Sequence, residues 1–124
     1  MEQQLRPHID QTSFGWITVE GEPFNHDIYI DLHGHVQKRK KRLSKELYGT
    51  SHHISKPEAE AIFEHGTDAI IIGCGQYGMA KLSDDADRFF RDNHCNISLL
   101  STPQAIKAWN EAKGRVIGLF HITC

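Results

Sequence analysis

A glycine-rich stretch from Gly73 to Gly78 matches the pattern G-x-G-x-x-G directly after an apolar run. Enzymes that bind nicotinamide or flavin dinucleotides use this pattern where it opens a helix, because the helix amides then hold the pyrophosphate. Here Met79 to Leu82 separate the glycines from the next helix-capping residue, Ser83. The acidic residue expected about 20 positions further on is missing as well. The motif therefore predicts a glycine-rich turn and no dinucleotide cofactor.

Nine histidines raise the question of a metal site. Their only close pairs are His33 with His35 and His52 with His53. Alternate residues of a strand share a face, but His33 and His35 flank a predicted turn. Neither an HExxH motif nor a helical pair four residues apart is present. We therefore expect exposed or hydrogen-bonded histidines and no metal ligands.

The densest run of charge covers Lys38 to Arg42, and Lys45 follows it closely. Such a run can contact phosphates, a membrane surface or an acidic partner. No aromatic platform or recognition helix accompanies it, so nucleic-acid binding is not predicted. We expect a solvated loop or strand edge, where neutralising the first four side chains together changes stability by no more than about 1 kcal/mol.

The three cysteines, Cys74, Cys95 and Cys124, are widely spaced and form no C-x-x-C pair. Neither a disulfide framework nor a thiolate zinc site is predicted. Cys74 lies in the glycine-rich turn at a strand end and is the only thiol in a plausible nucleophile position. Activation would require a nearby base or cation that lowers its pKa. The alternative is that Cys74 is a small packing residue.

The first half of the chain has the pattern of antiparallel β-structure. Phe14–Val19 is rich in aromatic and branched residues, which predicts a strand. In His26–Leu32 the residues alternate, which places the isoleucines and Leu32 on one face and the aspartates and tyrosine on the other. His33-Gly34 then forms a turn into His35–Lys38, and this arrangement predicts a hairpin.

The second half alternates helix and strand. Capping residues before apolar stripes predict three helices, which begin after Ser55, after Ser83 and at Thr102, the first ending at Gly66 and the third at Gly114. Predicted strands are Asp68–Ile72, Ile97–Leu100 and Arg115–Thr123. The first of these strands has no polar alternation after its first residue, which is typical of a central strand covered on both faces.

Helices that alternate with strands favour parallel strand pairs, whereas the N-terminal hairpin adds antiparallel ones. We therefore predict an α/β fold of mixed α+β character: a layered single domain over residues 1–124, with a mixed β-sheet, an N-terminal antiparallel β-hairpin and three helices. The net charge of -2 gives no general attraction to nucleic acid or anionic lipid. No apolar run reaches the roughly 20 residues that cross a bilayer. Residues 1–4 open no signal peptide, so we expect a cytoplasmic protein without membrane insertion.

Two segments, Leu43–His52 and the ending Gly118–Cys124, are too specific to be generic loops. With the Gly-x-Gly that follows an isoleucine-rich strand, they make the chain resemble a family of small α/β domains of unassigned molecular function. That family includes the adipogenesis-associated domain-containing protein and a mitochondrial assembly factor for respiratory complex I. The resemblance runs from about Asp10 to the last residue, and the Phe-His-x-Thr-Cys ending is its most specific part. It implies a compact layered fold on a mixed sheet and supplies no catalytic residue.

Ligands of such sheets usually bind outside the carboxyl ends of the parallel strands. The turn after the central strand lies there, and we expect the polar segment between the hairpin and the first helix to face it. Both are loops on a rigid scaffold, where binding residues concentrate. The candidate ligand-binding residues are Tyr48, Gly49, Thr50, Ser51, His52, Gly73, Gly75 and Gln76. We predict that His52 lines a solvent-reachable concavity in contact with Gly75 or Gln76.

The molecular function itself is not assignable from the sequence, and three hypotheses stay open. The first is a small cytoplasmic binding or scaffolding domain with a polar pocket, not an enzyme, whose ligand is a small anion or a protein partner. The second is an enzyme of unknown reaction with His52 as acid/base, because histidine titrates near neutral pH. The third is a protein-interaction module that acts in complex assembly.

Overall fold

A computed structural model describes residues 6–124, so the expectation about a signal peptide at residues 1–4 lies outside the described residues. The described chain forms ten strands and four helices. The strands are β1 (Ile9–Ser13), β2 (Trp16–Val19), β3 (Glu22–Phe24), β4 (Ile28–Ile30), β5 (Val36–Lys38), β6 (His53–Ile54), β7 (Ala69–Cys74), β8 (Lys81–Leu82), β9 (Asn96–Leu100) and β10 (Val116–His121). The helices are α1 (Arg42–Tyr48), α2 (Lys56–Ile62), α3 (Asp84–Asp92) and α4 (Thr102–Glu111).

The main sheet has five strands in the order β5-β4-β10-β7-β9. β10 runs parallel to β7, and β7 runs parallel to β9, whereas β4 pairs antiparallel with β10 and with β5. The β4–β5 pair is the predicted hairpin. β1, β2 and β3 form a separate antiparallel meander, and β6 pairs in parallel with β8. The prediction of an α/β fold on a mixed sheet is confirmed.

Both faces of the main sheet are covered, which is why β7 carries an unbroken apolar run. Ile70 and Ile72 pack into one core cluster with α2 and α3. Ile71 points into the other cluster, where α4 and the meander pack around the fully buried Trp109. The molecule is therefore layered, with the sheet between two cores.

The predicted caps open two helices. The Ser55 hydroxyl accepts a hydrogen bond from the Glu58 amide at the start of α2, and the Ser83 hydroxyl accepts one from the Ala86 amide at the start of α3. The predicted end of the first helix at Gly66 is wrong. α2 ends at Ile62, because Phe63 takes an extended backbone conformation.

Three further expectations need correction. Phe14 does not belong to a strand but to the turn between β1 and β2. Leu32 does not share a face with Ile28 and Ile30, since it lies beyond the end of β4 and packs into the opposite core. Tyr29, expected on a polar face, is buried, because α2 and α3 cover that side of the sheet.

The sequence predicted three helices, and α1 is the one it missed. This helix has seven residues, begins without a side-chain cap, and has Ser44 as its only buried residue. Its charged, weakly apolar sequence carries little of the periodicity on which helix prediction depends. Gly49, with a φ of 72°, ends it.

Candidate functional site

The carboxyl ends of the adjacent parallel strands β7 and β10 lie at the same edge of the sheet. The segments that follow them are joined by backbone hydrogen bonds: the Gln76 amide donates to the Thr123 carbonyl (2.6 Å), and the Met79 amide donates to the Cys124 carbonyl (3.0 Å). Gly75 permits this approach, because its φ is 102° and a Cβ there would lie 2.3 Å from the Cys124 carbonyl carbon. The turn therefore brings two backbones together.

A buried carboxylate, Asp27, lies beneath this edge. Its Oδ2 accepts hydrogen bonds from His121 Nδ1 (2.7 Å) and Arg39 Nη1 (2.9 Å), and its Oδ1 accepts one from the Ile122 amide (2.9 Å). Burial alone raises the pKa of Asp27, but His121, the Ile122 amide and Arg39 outweigh it and lower the pKa to about 2. The other ring nitrogen of His121 lies 3.1 Å from the Thr123 hydroxyl, so both ends of the imidazole are held.

Arg39 overturns the expectation for the basic run. It is only 4% exposed, and its guanidinium donates two hydrogen bonds to Glu58 (2.7 and 3.0 Å) and one to the Ser51 carbonyl (2.8 Å). The Ser44 hydroxyl completes the cluster by donating to Glu58. The expectation of a solvated segment is wrong for this residue, because the single positive charge of Arg39 is buried against two carboxylates, Asp27 and Glu58.

His52 reaches the same edge of the sheet from the other side. Its Nε2 lies 3.8 Å from Cys124 Sγ, and its ring meets the His121 ring edge to face at a centroid distance of 5.1 Å. The His52 amide donates to the Thr50 hydroxyl (3.1 Å), and its carbonyl accepts from the Lys81 amide (2.8 Å). The loop that carries His52 is therefore tied to β8.

Among the other candidate residues of the crossing segment, Tyr48 stacks on His53 at a centroid distance of 4.2 Å. Gly49 is exposed at the end of α1, and Ser51 contributes its carbonyl to Arg39. These contacts hold the segment itself. None of them joins it to the glycine-rich turn.

Gly73 does not belong to the turn but to the end of β7, where it is buried and a Cβ would lie 2.8 Å from the Thr102 hydroxyl oxygen. The Gln76 carboxamide donates to the Thr12 hydroxyl (3.0 Å). Gly75 and His52 approach the same partners, since a Cβ at Gly75 would also lie 3.0 Å from the His121 ring. The structure thus brings His52 and Gly75 to the C-terminal segment His121–Cys124. Tyr48 and Gly49 lie instead at the end of α1, where Tyr48 stacks on His53.

A groove of about 430 Å³ opens beside the turn, at the carboxyl ends of β7 and β9. It is lined by Cys74, Gly78, Ala80, Lys81, Leu82, Leu99, Leu100, Ser101 and Gln104. Three leucines supply an apolar wall, and Lys81, Ser101 and Gln104 supply polar groups. Ser101 precedes the first turn of α4, and its side chain makes no capping hydrogen bond. An apolar wall beside a few polar groups is the usual composition of a small-molecule site.

The thiols differ in their surroundings. Cys74 is 4% exposed, and burial raises its pKa. Cys95 is buried as well, and burial together with the nearby Asp68 raises its pKa to about 11. The expectation that Cys74 is the only plausible nucleophile is therefore wrong, because burial stabilises its neutral form. Cys124 is partly exposed and lies beside a histidine.

Sequence reasoning missed Asp27, Arg39 and Lys81 as members of this region. The alternation puts Asp27 on the face opposite the isoleucines without indicating its burial, and Arg39 is flanked by exposed lysines. One signal did mark the region, since the Phe-His-x-Thr-Cys ending contains His121 and Cys124.

Within residues 6–124, no three His, Cys, Asp or Glu side chains are grouped so that they could hold a metal ion. His33 and His35 are exposed, with ring centroids 6.0 Å apart. In the same described part of the chain, no helix combines the length and the apolar character needed to cross a membrane.

The family described as "Protein of unknown function (DUF498/DUF598)" matches residues 9–121 of the chain. A conserved hypothetical protein from Pyrococcus horikoshii OT3 is 31% identical, with a TM-score of 0.85 over 94% of this chain and 98% of its own. A protein named MT938 is 32% identical, with a TM-score of 0.80 over 95% of this chain and 99% of its own. A Mth938-like domain from Bordetella pertussis is 15% identical, with a TM-score of 0.62 over 93% of this chain and 85% of its own, a similarity of fold alone.

Proposed function

Since this chain belongs to the DUF498/DUF598 family of proteins of unknown function, we propose a function from its own geometry: it is a small cytoplasmic binding domain. Its ligand is an amphipathic anion, held in the groove where β7 and β9 end. The observation that carries the proposal is the composition of this groove, which is lined by three leucines together with Lys81, Ser101 and Gln104.

The volume and the lining both favour a small molecule. About 430 Å³ lies within the roughly 300–1,000 Å³ typical of ligand pockets. Leu99 is 48% exposed, so an apolar ligand that covers it removes apolar surface from water. Lys81 supplies a positive charge to the lining, and the N-terminus of α4 adds a partial positive charge near Ser101.

The two predicted loops are directly connected to the elements that line this groove. The segment Gly73–Gln76 covers the end of β7 and the turn after it, and it contributes Cys74 to the lining, which continues at Gly78. The segment Tyr48–His52 leads into β6, which pairs with β8 and so holds Lys81 in place. We therefore retain these loops as parts of the proposed site, the first shaping the groove and the second positioning its cation.

A second candidate function, a protein-interaction module in complex assembly, has an observation of its own. Phe14 and Tyr77 are 56% and 74% exposed, and their ring centroids lie 6.3 Å apart. Trp16 and Met79 are exposed nearby along the chain. Contiguous exposed apolar side chains are typical of protein-binding surfaces. The resemblance to a family that includes a complex I assembly factor supports the same candidate.

The third hypothesis, an enzyme with His52 as acid/base, makes a different prediction. It expects a bound compound to be chemically changed, whereas the binding proposal expects the compound to be recovered intact. Mass spectrometry of the ligand after prolonged incubation separates the two.

Thermal unfolding with octanoate tests the proposal, because this compound joins an apolar chain to a carboxylate. At about 100 times its Kd, a ligand of the folded state adds about 2.7 kcal/mol of stability. We expect octanoate to raise the melting temperature, and both 1-octanol and inorganic phosphate to raise it less.

The matched variants are Lys81→Met and Lys107→Met, since Lys107 is exposed on α4 but does not line the groove. We expect the octanoate effect to shrink in Lys81→Met and to persist in Lys107→Met. No stabilisation by octanoate, or equal stabilisation of both variants, would contradict the proposal.

A further inference from the structure

The chain has three thiols, and only Cys124 combines access with a basic neighbour. Cys74 and Cys95 are 4% and 3% exposed, whereas Cys124 is partly exposed. Its Sγ lies 3.8 Å from Nε2 of His52, a contact at hydrogen-bond distance for sulfur. A thiol beside an imidazole is the arrangement that activates cysteine nucleophiles.

Both members of this pair are held in place. The amides of Tyr77 and Met79 donate to the Cys124 carbonyl (3.3 and 3.0 Å), and the Lys81 amide donates to the His52 carbonyl (2.8 Å). A positioned base needs such anchoring, because proton transfer depends on a short and stable approach.

A second imidazole, that of His121, lies next to the Cys124–His52 pair. His121 packs against the His52 ring and is fixed by Asp27 on one side and by Thr123 on the other. Arg39 pairs with Asp27 in turn, so this carboxylate is bonded to both His121 and Arg39. The imidazole of His121 is therefore occupied, and His52 is the ring that faces the thiol.

We propose that Cys124 is a site of thiol–disulfide exchange with low-molecular-weight disulfides, and that His52 acts as its proton acceptor. His52 Nε2 takes the proton from Sγ, and the thiolate attacks one sulfur of the disulfide. A new S–S bond forms to Cys124 while the old one breaks, and the leaving sulfur departs as a thiolate that takes the proton back from His52. The Cys124 sulfur is oxidised and the leaving sulfur is reduced, so the disulfide is the only co-reactant.

The product is a mixed disulfide on the protein. Cys74 and Cys95, the other two thiols, are buried and cannot meet an incoming disulfide at the surface. The exchange does not require a ligand in the groove, because neither Cys124 nor His52 lines it, although the backbone amide of Lys81 helps to anchor His52.

Oxidised glutathione is the probe, with intact-mass measurement and peptide mapping as readouts. We expect one glutathionyl group per chain, located on Cys124 and absent from Cys124→Ser. His52→Gln is expected to slow the adduct formation about tenfold, because it removes the proton acceptor. His33→Gln, a change of the same chemistry at an exposed histidine outside this segment, is expected to leave the rate unchanged.

A measurement on the unaltered protein keeps the proposal testable if His52→Gln fails to fold. We expect iodoacetamide to alkylate Cys124 of the folded protein faster than it alkylates N-acetylcysteine amide at pH 7. Modification of Cys74 or Cys95 before Cys124, equal rates in the two histidine variants, or no advantage over the free thiol would each overturn the proposal.

Discussion

Two polar regions of this molecule share one edge of the sheet and differ in how their groups are partnered. Around Arg39, the guanidinium, two carboxylates and the Ser44 hydroxyl are buried, and all of them are hydrogen-bonded to one another or to backbone. In the groove, Lys81 and Gln104 are exposed, and the Ser101 hydroxyl caps no amide. The first region is satisfied internally, and the second has polar groups available to a ligand.

Charge density is therefore a poor guide to function in this fold. The most charged stretch of the sequence contributes a structural ion pair, whereas the groove carries a single lysine. A buried, fully bonded cluster costs several kcal/mol to break and offers nothing to a ligand. Variants of the two regions are therefore expected to affect different properties.

Arg39→Ala is expected to have the largest effect, a loss of about 3–5 kcal/mol of unfolding free energy, because Glu58 would remain buried without a counter-charge and Asp27 would keep only His121 and the Ile122 amide as partners. Lys41→Ala, an exposed change in the same run, is expected to stay within about 0.5 kcal/mol. Urea unfolding of the two variants measures the difference. Similar values for both would mean that the cluster is not the structural element described above.

Gly75→Ala is expected to cost about 2–4 kcal/mol, since it adds a positive-φ penalty of about 1 kcal/mol to about 1–3 kcal/mol of overpacking against Cys124. Gly78→Ala has a φ of 69° but open space around it, so only the first cost applies. Chemical denaturation of both variants checks this. Equal losses would show that the backbones after β7 and β10 are not tightly joined.

Asp27→Asn tests the pH dependence of the cluster. The folded state lowers the pKa of Asp27 from 3.8 to about 2, so its charged form stabilises the fold above the unfolded pKa, and this stability is lost as pH falls from about 4 towards 2. A shift of this size corresponds to about 2 kcal/mol. We expect wild type to exceed Asp27→Asn by that amount at pH 7, and the gap to narrow on acidification. A gap that is constant with pH would contradict the ionised Asp27.

Ser101→Ala is expected to have the smallest effect, within about 0.5 kcal/mol, because the hydroxyl bonds no helix amide. Ser83→Ala is its matched control, since that hydroxyl accepts from the Ala86 amide and its loss costs about 1 kcal/mol. Thermal unfolding distinguishes the two. An equal loss of stability for Ser101→Ala would show that its hydroxyl stabilises the fold and is not a free polar group of the groove.

Local patterns predicted most of the fold. The caps at Ser55 and Ser83 and the unbroken apolar run of β7 identified two helices and a central strand, because each depends on neighbours in sequence. The missed helix α1 has neither a cap nor a stripe. The burial of Tyr29 could not be predicted from its neighbours in sequence, because α2 and α3, which cover it, come later in the chain.

The site was predictable only in part. Two loops were expected to face each other at the strand ends, and His52 and Gly75 do approach the same C-terminal segment. The partners of Arg39 could not be foreseen, because Asp27 and Glu58 lie 12 and 19 residues away in sequence and meet it only through packing. The groove could not be foreseen either, because its lining residues from β7, β8, β9 and α4 are distant in sequence and meet only in the folded chain.

An octanoate titration followed by amide NMR shifts tests whether the groove is the binding site. We predict saturable shifts at the amides of Gly78, Lys81, Ser101 and Gln104, with little change at Arg39 and Glu58. Shifts that are absent, or that centre on the Arg39 cluster or on the exposed rings of Phe14 and Tyr77, would contradict the groove as the site.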